Sequence, residues 1–442
     1  MCVRGRRRDE ASRPVSPPRP RGGETSEMQL PKDARKLVLH DRLWSAAGRL
    51  AGGTGDEVLV LDNRGAPRSR DVDVCIVTNC TFPGGNAATT LTEALAFEAA
   101  GLSVAIVHCS IKSSPWKWNR VSVRYRPVLG RMISAHWVER ISCRTVIVRA
   151  PRMMMTQAFA RLVPKIRPER AIFVVNNSAH SEDGGAIFSW PALHRRVADL
   201  DWPQKELCPT SPIIREESAR DLAGTDVTDV LSERDWPPVL DEEAFRFAPH
   251  PRFGRPTVIG RHARDHPGKW LEDPAELLAA YPAEDPAIRV RILGGATAAA
   301  RVLGRVPAGW EVLPFGTDGV QAYLDTLDVF VNFPSPERHE AFGRTVVEAN
   351  LAGVPVLLPP RFEATFGDLA FYCRPDEVRG LIARLGEDDA GRLAYLSACR
   401  DLAVALYCTP SLLRRLKDGE GVGRPHLAEP LRAWRAGVMA RA

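Results

Sequence analysis

The chain predicts an α/β protein of two doubly wound domains facing a central cleft, and three observations predict it. Short apolar runs alternate with helical patterns in two separate series, as parallel sheets covered on both faces require. A stretch rich in prolines and acids, Asp235–Pro251, divides the two series. At 442 residues the chain also exceeds one ordinary core, so two domains of roughly 200 residues each are the default.

Composition narrows the class. The apolar fraction of 44% and charged fraction of 26% are those of a soluble globular enzyme. The net charge of +6 is modest and partly carried by an arginine-rich start, which argues against nucleic acid as a partner. Nine cysteines fall singly, without zinc spacing or CxxC, as expected of free thiols in a reducing cytoplasm. No apolar run approaches the ~20 residues of a membrane span, and the basic start leads into no apolar signal core. The expected location is cytoplasmic.

Residues 1–31 hold arginines and prolines with almost no apolar periodicity and are expected to be disordered. A solvated tail, or a start at Met28, accounts for them; peripheral contact with anionic lipid at the inner membrane face is the other reading of their charge. The first domain, 32–245, opens with an amphipathic pattern over Ala34–Leu50 and a short strand at Glu57–Leu61. Val72–Thr78 is a continuous apolar strand, followed by a loop containing Gly84-Gly85-Asn86, a helix over Ala87–Ala100 and a strand at Leu102–His108. This βαβ turn is not GxGxxG, and no acid ends its second strand, so dinucleotide binding is disfavoured. Arg144–Arg149 and Ala171–Val175 are further strands, with helices at Gln157–Val163 and Ile213–Leu222.

The second domain, 246–424, places strands at Thr257–Gly260, Arg289–Leu293, Trp310–Pro314, Val329–Phe333, Val354–Leu358 and Leu369–Cys373. Helices fall at Pro274–Ala280, Gln321–Leu324 and Thr345–Ala352. The amphipathic tail, 425–442, is expected to pack back near the domain junction. Both domains are Rossmann-like in plan, and ligands of such sheets bind outside the carboxyl ends of the strands.

That rule directs attention to Pro334–Glu348, PSPERHEAFGRTVVE, between the strand Val329–Phe333 and a helix closed by Gly353-Val354-Pro355. With the helix starting at Gly343, Glu340 stands in the loop before it and Glu348 eight positions on. Such a loop offers free backbone N–H groups and the positive end of a helix dipole, which suit a phosphate. Gly343 lets a ligand approach the backbone, and the two acids can address hydroxyls. Two glutamates so spaced are more often only a solvated face; Pro334-Ser335 before them and Gly353-Val354-Pro355 after them argue otherwise.

An ordered set of such pieces resembles a known family. The pieces are Gly260-Arg261, Ile292-Leu293-Gly294-Gly295, Leu313-Pro314-Phe315-Gly316, Val331-Asn332-Phe333-Pro334-Ser335, Glu340-Ala341-Phe342-Gly343, Val347-Glu348-Ala349 and Ala352-Gly353-Val354-Pro355-Val356. Together they are similar to the nucleotide-binding domain of retaining glycosyltransferases of family 4, which have the GT-B fold. Gly84-Gly85 resembles that family's acceptor-side glycine loop, with Asn86 set to cap the helix. The resemblance covers most of residues 70–375, and the Glu-x7-Glu block is its strongest part.

The resemblance implies transfer of a hexosyl group from a nucleotide-diphosphate sugar to an acceptor hydroxyl, with retention of configuration and no metal or other cofactor. The implied partners are that donor and a glycan, lipid-linked or small-molecule acceptor. Cleavage leaves charge on the diphosphate, so cations must be poised there; the implied ones are Arg261 and Lys269. Lys269 lies further from the arginine than is usual and precedes Trp270, which makes Arg264 a rival. Glu348 is implied at the ribose hydroxyls and Glu340 at the hexose hydroxyls; Glu337 competes with Glu340, but the Phe342-Gly343 that follows decides for Glu340. Phe342, Gly343 and Gly316 complete the donor-side set. His180 stands where a cleft residue could meet the transferred sugar, although a lone histidine is more often structural. Trp116 and Trp118 either stack on an acceptor sugar or pack. The family's retention is explained by front-face attack, in which the departing phosphate helps deprotonate the acceptor, so no dedicated nucleophile is needed. Two further readings are a sugar-nucleotide epimerase of the same fold and a non-catalytic GT-B protein that binds nucleotide or a partner.

Overall fold

The computed structural model describes residues 58–111, 119–180, 185–225, 230–314, 319–337, 340–419 and 421–440. The basic tail, the pattern at Ala34–Leu50, Trp116, Trp118 and Gly316 lie outside them.

The first sheet has the order β5-β3-β2-β6-β7-β8 and is parallel throughout. Its strands are β2 (Ser69–Thr78), β3 (Val104–His108), β5 (Met132–Ser134), β6 (Arg140–Arg149), β7 (Ile166–Val175) and β8 (Lys205–Pro209). A small antiparallel pair, β1 (Val58–Val60) with β4 (Arg120–Ser122), adds Leu59 and Val121 to the core. Central strands are apolar on both faces because helices cover both: Val74 and Ile76 enter one layer, Cys75 and Val77 the other. The covering helices are α1 (Gly85–Ala99), α2 (Pro151–Met154), α3 (Gln157–Leu162), α4 (Trp190–Ala198) and α5 (Pro212–Leu222). Helix α4 begins on a Trp-Pro pair that looks like a break. Pro191 sits in the first turn, where its missing N–H costs nothing, and Ser189 Oγ accepts from Ala192 N.

The second sheet is also parallel, in the order β11-β10-β9-β12-β13-β14. Its strands are β9 (Thr257–His262), β10 (Ile288–Leu293), β11 (Trp310–Leu313), β12 (Val329–Val331), β13 (Val356–Leu358) and β14 (Phe371–Tyr372). Around it lie α6 (Pro274–Ala280), α7 (Thr297–Leu303), α8 (Val320–Leu324), α9 (Arg344–Ala352), α10 (Glu363–Phe366), α11 (Val378–Leu385), α12 (Asp389–Tyr407), α13 (Thr409–Asp418) and α14 (Glu429–Ala440).

The chain crosses between the domains twice, side by side. Trp236 and Val239 sit in the first core and Leu240 in the second; on the return, Cys408 belongs to the second core and Leu412 to the first. Leu240 N donates to Tyr407 O (2.9 Å), within a parallel bridge between Leu240 and Cys408. Asp235–Pro251, read as a linker, is therefore buried at its crossing point. Helix α13 makes the return, and Arg170 Nη1 donates to its Leu416 carbonyl (3.2 Å). The tail expected at the junction packs on the second domain instead. Trp434 lies against Phe371 and Tyr395, and the buried Arg435 finds its acceptors there, in Ala370 O (2.7 Å) and Asp368 Oδ1 (3.3 Å).

Candidate active site

Because every strand of the second sheet runs the same way, the ends of β9, β12 and β13 bring their following loops to one edge. Strand β9 ends in Arg261 and His262. Arg261 is buried with its guanidinium 4.3 Å over the Trp270 ring, a contact worth about 2 kcal/mol when desolvated. Its Nη1 donates to the Lys269 carbonyl and, at 3.4 Å, to Tyr281 Oη, while the buried Nη2 has no hydrogen-bond partner. One arm of the fork holds the turn Pro267–Lys269 and the other is unspent.

Held by that turn, Lys269 Nζ donates to Glu340 Oε1. Burial pushes the Glu340 carboxyl up, but Lys269 first, then Arg261 and Arg361, outweigh it and keep the carboxyl below its ordinary value. Arg361 is a member of this site that the sequence reading missed. Its Nη2 donates to Pro334 O (2.7 Å) and Ser335 O (3.0 Å), pinning the loop after β12. Its position soon after β13, at the carboxyl end of a parallel strand, was the available signal. Glu337, the rival of Glu340, is exposed, and its N–H donates to Ser335 Oγ (3.2 Å).

Gly343 precedes α9 with φ +90° and ψ +62°, the left-handed region that glycine adopts at little cost. The turn drives Phe342 into the core, its ring centroid 5.3 Å from that of Phe366 and 5.2 Å from that of Tyr407. Phe342 was expected on the donor side; its ring is 5% exposed and anchors the loop from behind. Further along α9, Glu348 Oε2 lies 3.4 Å from His262 Nε2 and Oε1 lies 3.8 Å from Arg344 Nε. The His262 contact is proximity without hydrogen-bond alignment. Burial holds the His262 pKa below its ordinary value, more than Glu348 raises it, so the ring is neutral near pH 7.

The opposite face belongs to the first domain. Asn86, expected to cap α1, serves a different purpose. The cap position is Gly84, which has no side chain to cap with, and Asn86, inside the first turn, donates its Nδ2 hydrogen to Thr78 Oγ1 (2.9 Å). Asn176 Nδ2 donates to Asn86 Oδ1 (3.0 Å), and Asn176 Oδ1 accepts from Ala150 N (3.2 Å). This amide chain ties together the ends of β2, β6 and β7. Ala150 has φ +72°, a conformation that a residue with a side chain holds only where its surroundings enforce it. Arg264 reaches this face from the second domain: a Cβ on Gly84 would lie 4.0 Å from its Nη2.

His180 pairs with an acid of its own domain. Its Nε2 lies 3.2 Å from Asp221 Oδ2 and its side chain is 47% exposed. Glu217 holds the preceding loop, accepting from Ser178 Oγ, Ala179 N (2.7 Å) and Trp190 Nε1 (2.9 Å). Helix α5 meets the second domain at its start, where Ser211 Oγ donates to Ala341 O. Asp221, the partner of His180, stands ten residues beyond Ser211, about 15 Å along the helix.

Among the described residues, no three histidines, cysteines or acids gather as a metal site, and no helix is long and apolar enough to cross a membrane.

No family model matches the chain, and no curated protein matches its sequence. Solved structures match its fold. HepE of Anabaena, in complex with UDP and glucose, aligns with a TM-score of 0.57 at 12% identity, over 79% of this chain and 99% of HepE. A glycosyltransferase from Rickettsia africae ESF-5 aligns with a TM-score of 0.55 at 12% identity, over 79% of this chain and 97% of that one. An alpha-glucosyltransferase in complex with UDP and a 13-mer DNA containing an HMU base aligns with a TM-score of 0.54 at 12% identity, over 79% and 99%. These neighbours are GT-B glycosyltransferases, and the two parallel six-stranded sheets with flanking helices are the GT-B fold.

Proposed function

We propose that the chain is a retaining glycosyltransferase, similar to family 4, that moves a hexosyl group from a nucleotide-diphosphate sugar to an acceptor hydroxyl. The observation that carries this reading is the pairing of Lys269 with Glu340 at the carboxyl edge of the second sheet, one loop away from Glu348 and the start of α9. The pair keeps some exposure to solvent, and a polyanion with hydroxyls gives each partner a new counter-group, so neither charge is left uncompensated when they part. The diphosphate draws Lys269 to itself, and Glu340, ionised, accepts from the hexose hydroxyls. Glu348 accepts from the ribose hydroxyls.

As the sugar–phosphate bond breaks, negative charge grows on the diphosphate. Lys269, the unspent arm of Arg261 and the N–H groups of the first turn of α9 oppose it. Arg264 adds charge from the cleft mouth. The acceptor hydroxyl approaches from the Gly84–Asn86 side and gives its proton to the departing phosphate. Its oxygen bonds to the anomeric carbon on the face the phosphate leaves, which retains configuration. No protein group is acylated or glycosylated, and this reading calls for no metal. UDP, bound by HepE and the alpha-glucosyltransferase, is the first nucleotide to test. The acceptor is a glycan, a lipid-linked sugar or a small molecule, and the proposed location is the cytoplasm, with peripheral contact at the inner membrane face as the alternative.

The test is a thermal-shift screen against UDP, GDP, ADP and their sugar conjugates, followed by assay of nucleotide release. One diphosphate should raise the melting temperature, and its sugar conjugate should be consumed. Binding without release from any conjugate would overturn the transferase and leave a nucleotide-binding protein.

A further inference from the structure

Glu348 and helix α1 belong to different domains, and Arg344 touches both. Its Nε lies 3.8 Å from Glu348 Oε1. Its Nη1 donates to Thr89 Oγ1 on α1 (2.9 Å) and to the carbonyl of Val239 (2.9 Å), the residue at which the chain crosses between domains. The side chain is 18% exposed. Gly85 lies against its stem, since a Cβ there would be 3.2 Å from Arg344 Cδ.

Gly85, Thr89 and Glu93 lie four residues apart in sequence and so form one stripe of α1. Gly85 and Thr89 meet Arg344. Glu93, buried, accepts from Arg149 and lies 3.5 Å from Trp236 Nε1, on the same crossing segment as Val239. The stripe thus engages the crossing twice, and only the Arg344 end is also within reach of the donor carboxylate. At 3.8 Å the Arg344–Glu348 contact is an attraction and not a hydrogen bond, so the guanidinium is shared between Glu348 and its two first-domain acceptors. Burial lowers the pKa of Arg344 and Glu348 raises it, which marks the carboxylate as its principal counter-charge.

We propose that Arg344 is a positioning residue that couples donor binding at Glu348 to the placement of α1 and the crossing segment, so that the glycine loop leading α1 is set for the acceptor when the donor is in place. This rests on the donor reading of Glu348. When ribose hydroxyls take up the lone pairs of that carboxylate, its pull on Arg344 weakens, and the guanidinium tightens on Thr89 and Val239.

The experiment uses the full chain with UDP, GDP or ADP as probe, whichever binds. Affinity is read by calorimetry, and amide exchange is followed over Gly85–Ala99. In the wild type, saturating nucleotide should slow exchange in α1 by about tenfold. Arg344→Met and, separately, the near-isosteric Thr89→Val should still bind nucleotide yet lose that protection, and Arg344→Lys, which keeps the charge without the fork, should fall between. A purely structural arginine would lower stability without changing the response to nucleotide. Equal protection in wild type and variants, or none in a wild type that binds, overturns the coupling and leaves the donor reading intact. A wild type that binds none of the three nucleotides overturns the donor reading, and the coupling falls with it.

Discussion

The two faces of the cleft are made of different materials. The second-domain face is ionic: Lys269 on Glu340, Glu348 beside Arg344, and Arg361 on the carbonyls behind them. The first-domain face is neutral, a chain of Thr78, Asn86 and Asn176 closed on itself and on the Ala150 backbone. An ion pair can exchange partners when an arriving ion and its hydroxyls leave neither charge uncompensated, whereas a satisfied network of neutral hydrogen bonds resists change because any loss leaves a polar group stranded. On the proposed function, the face that would take the donor is built to respond and the face that would take the acceptor to hold its shape.

The sharpest way to break this division is at Lys269. Lys269→Met removes the cation proposed to face the leaving group, and loss of one such stabilising group typically lowers turnover by about 10²–10³. The same change removes the main influence holding the Glu340 carboxyl down, so its pKa should rise under the burial that remains. Nucleotide release kinetics check the first effect, and carboxyl titration by isotope-edited spectroscopy the second. Turnover that survives the substitution would show that the pair is only structural.

Glu348→Ala comes next. Losing hydrogen bonds to a charged acceptor should weaken nucleotide binding by about 1.5–3 kcal/mol, and calorimetry reporting unchanged affinity would remove Glu348 from the ribose. The neutral face should behave the other way. Asn176→Ala strands the Ala150 N–H and one side of Asn86, costing about 1–3 kcal/mol of stability in urea unfolding, with nucleotide affinity left within about twofold. A large loss of affinity there would mean that the two faces do not divide the work as drawn.

How much of this was legible in the sequence follows the same contrast. The two parallel sheets could be read because buried parallel strands are continuous apolar runs, such as Val74–Val77 and Ile172–Val175. The Glu340–Glu348 loop could be read because strand, loop and helix are contiguous. β8 could not, since an edge strand spelled Lys-Glu-Leu-Cys-Pro lacks the apolar run. The amide floor joins Asn86 to Asn176 and the brace joins Thr89 to Arg344, pairs that no local pattern connects. Asn86 was expected to cap α1 from its place beside the glycines, but its side chain turns to Thr78, and the Phe342 ring packs into the core behind Gly343. Spacing reports which residues are near a site; only tertiary packing reports which way they face.

The smallest effect compares the two ends of the second sheet. At the end away from the cleft, roughly 20 Å along β9 by strand rise, His250 Nδ1 lies 2.7 Å from Asp328 Oδ1 and Nε2 lies 2.9 Å from Asp325 O. The Asp328 contact, against burial and with help from the Asp325 carbonyl, raises the His250 pKa above 6.5. Folding therefore favours the protonated ring: its contribution is complete below the unfolded value and is lost as pH rises through the folded one. Glu340 runs the opposite way, its carboxyl held below the ordinary value, so its contribution is present above the unfolded value of about 4.3 and lost on acidification. Since 34% of the His250 side chain is exposed, screening should keep its effect below about 1 kcal/mol. In urea unfolding, His250→Gln should trail the wild type by more at about pH 5.5 than at about pH 8.5. A deficit that widened with rising pH would mean that the ring is held neutral, and that the imidazole and not the imidazolium is what Asp328 binds.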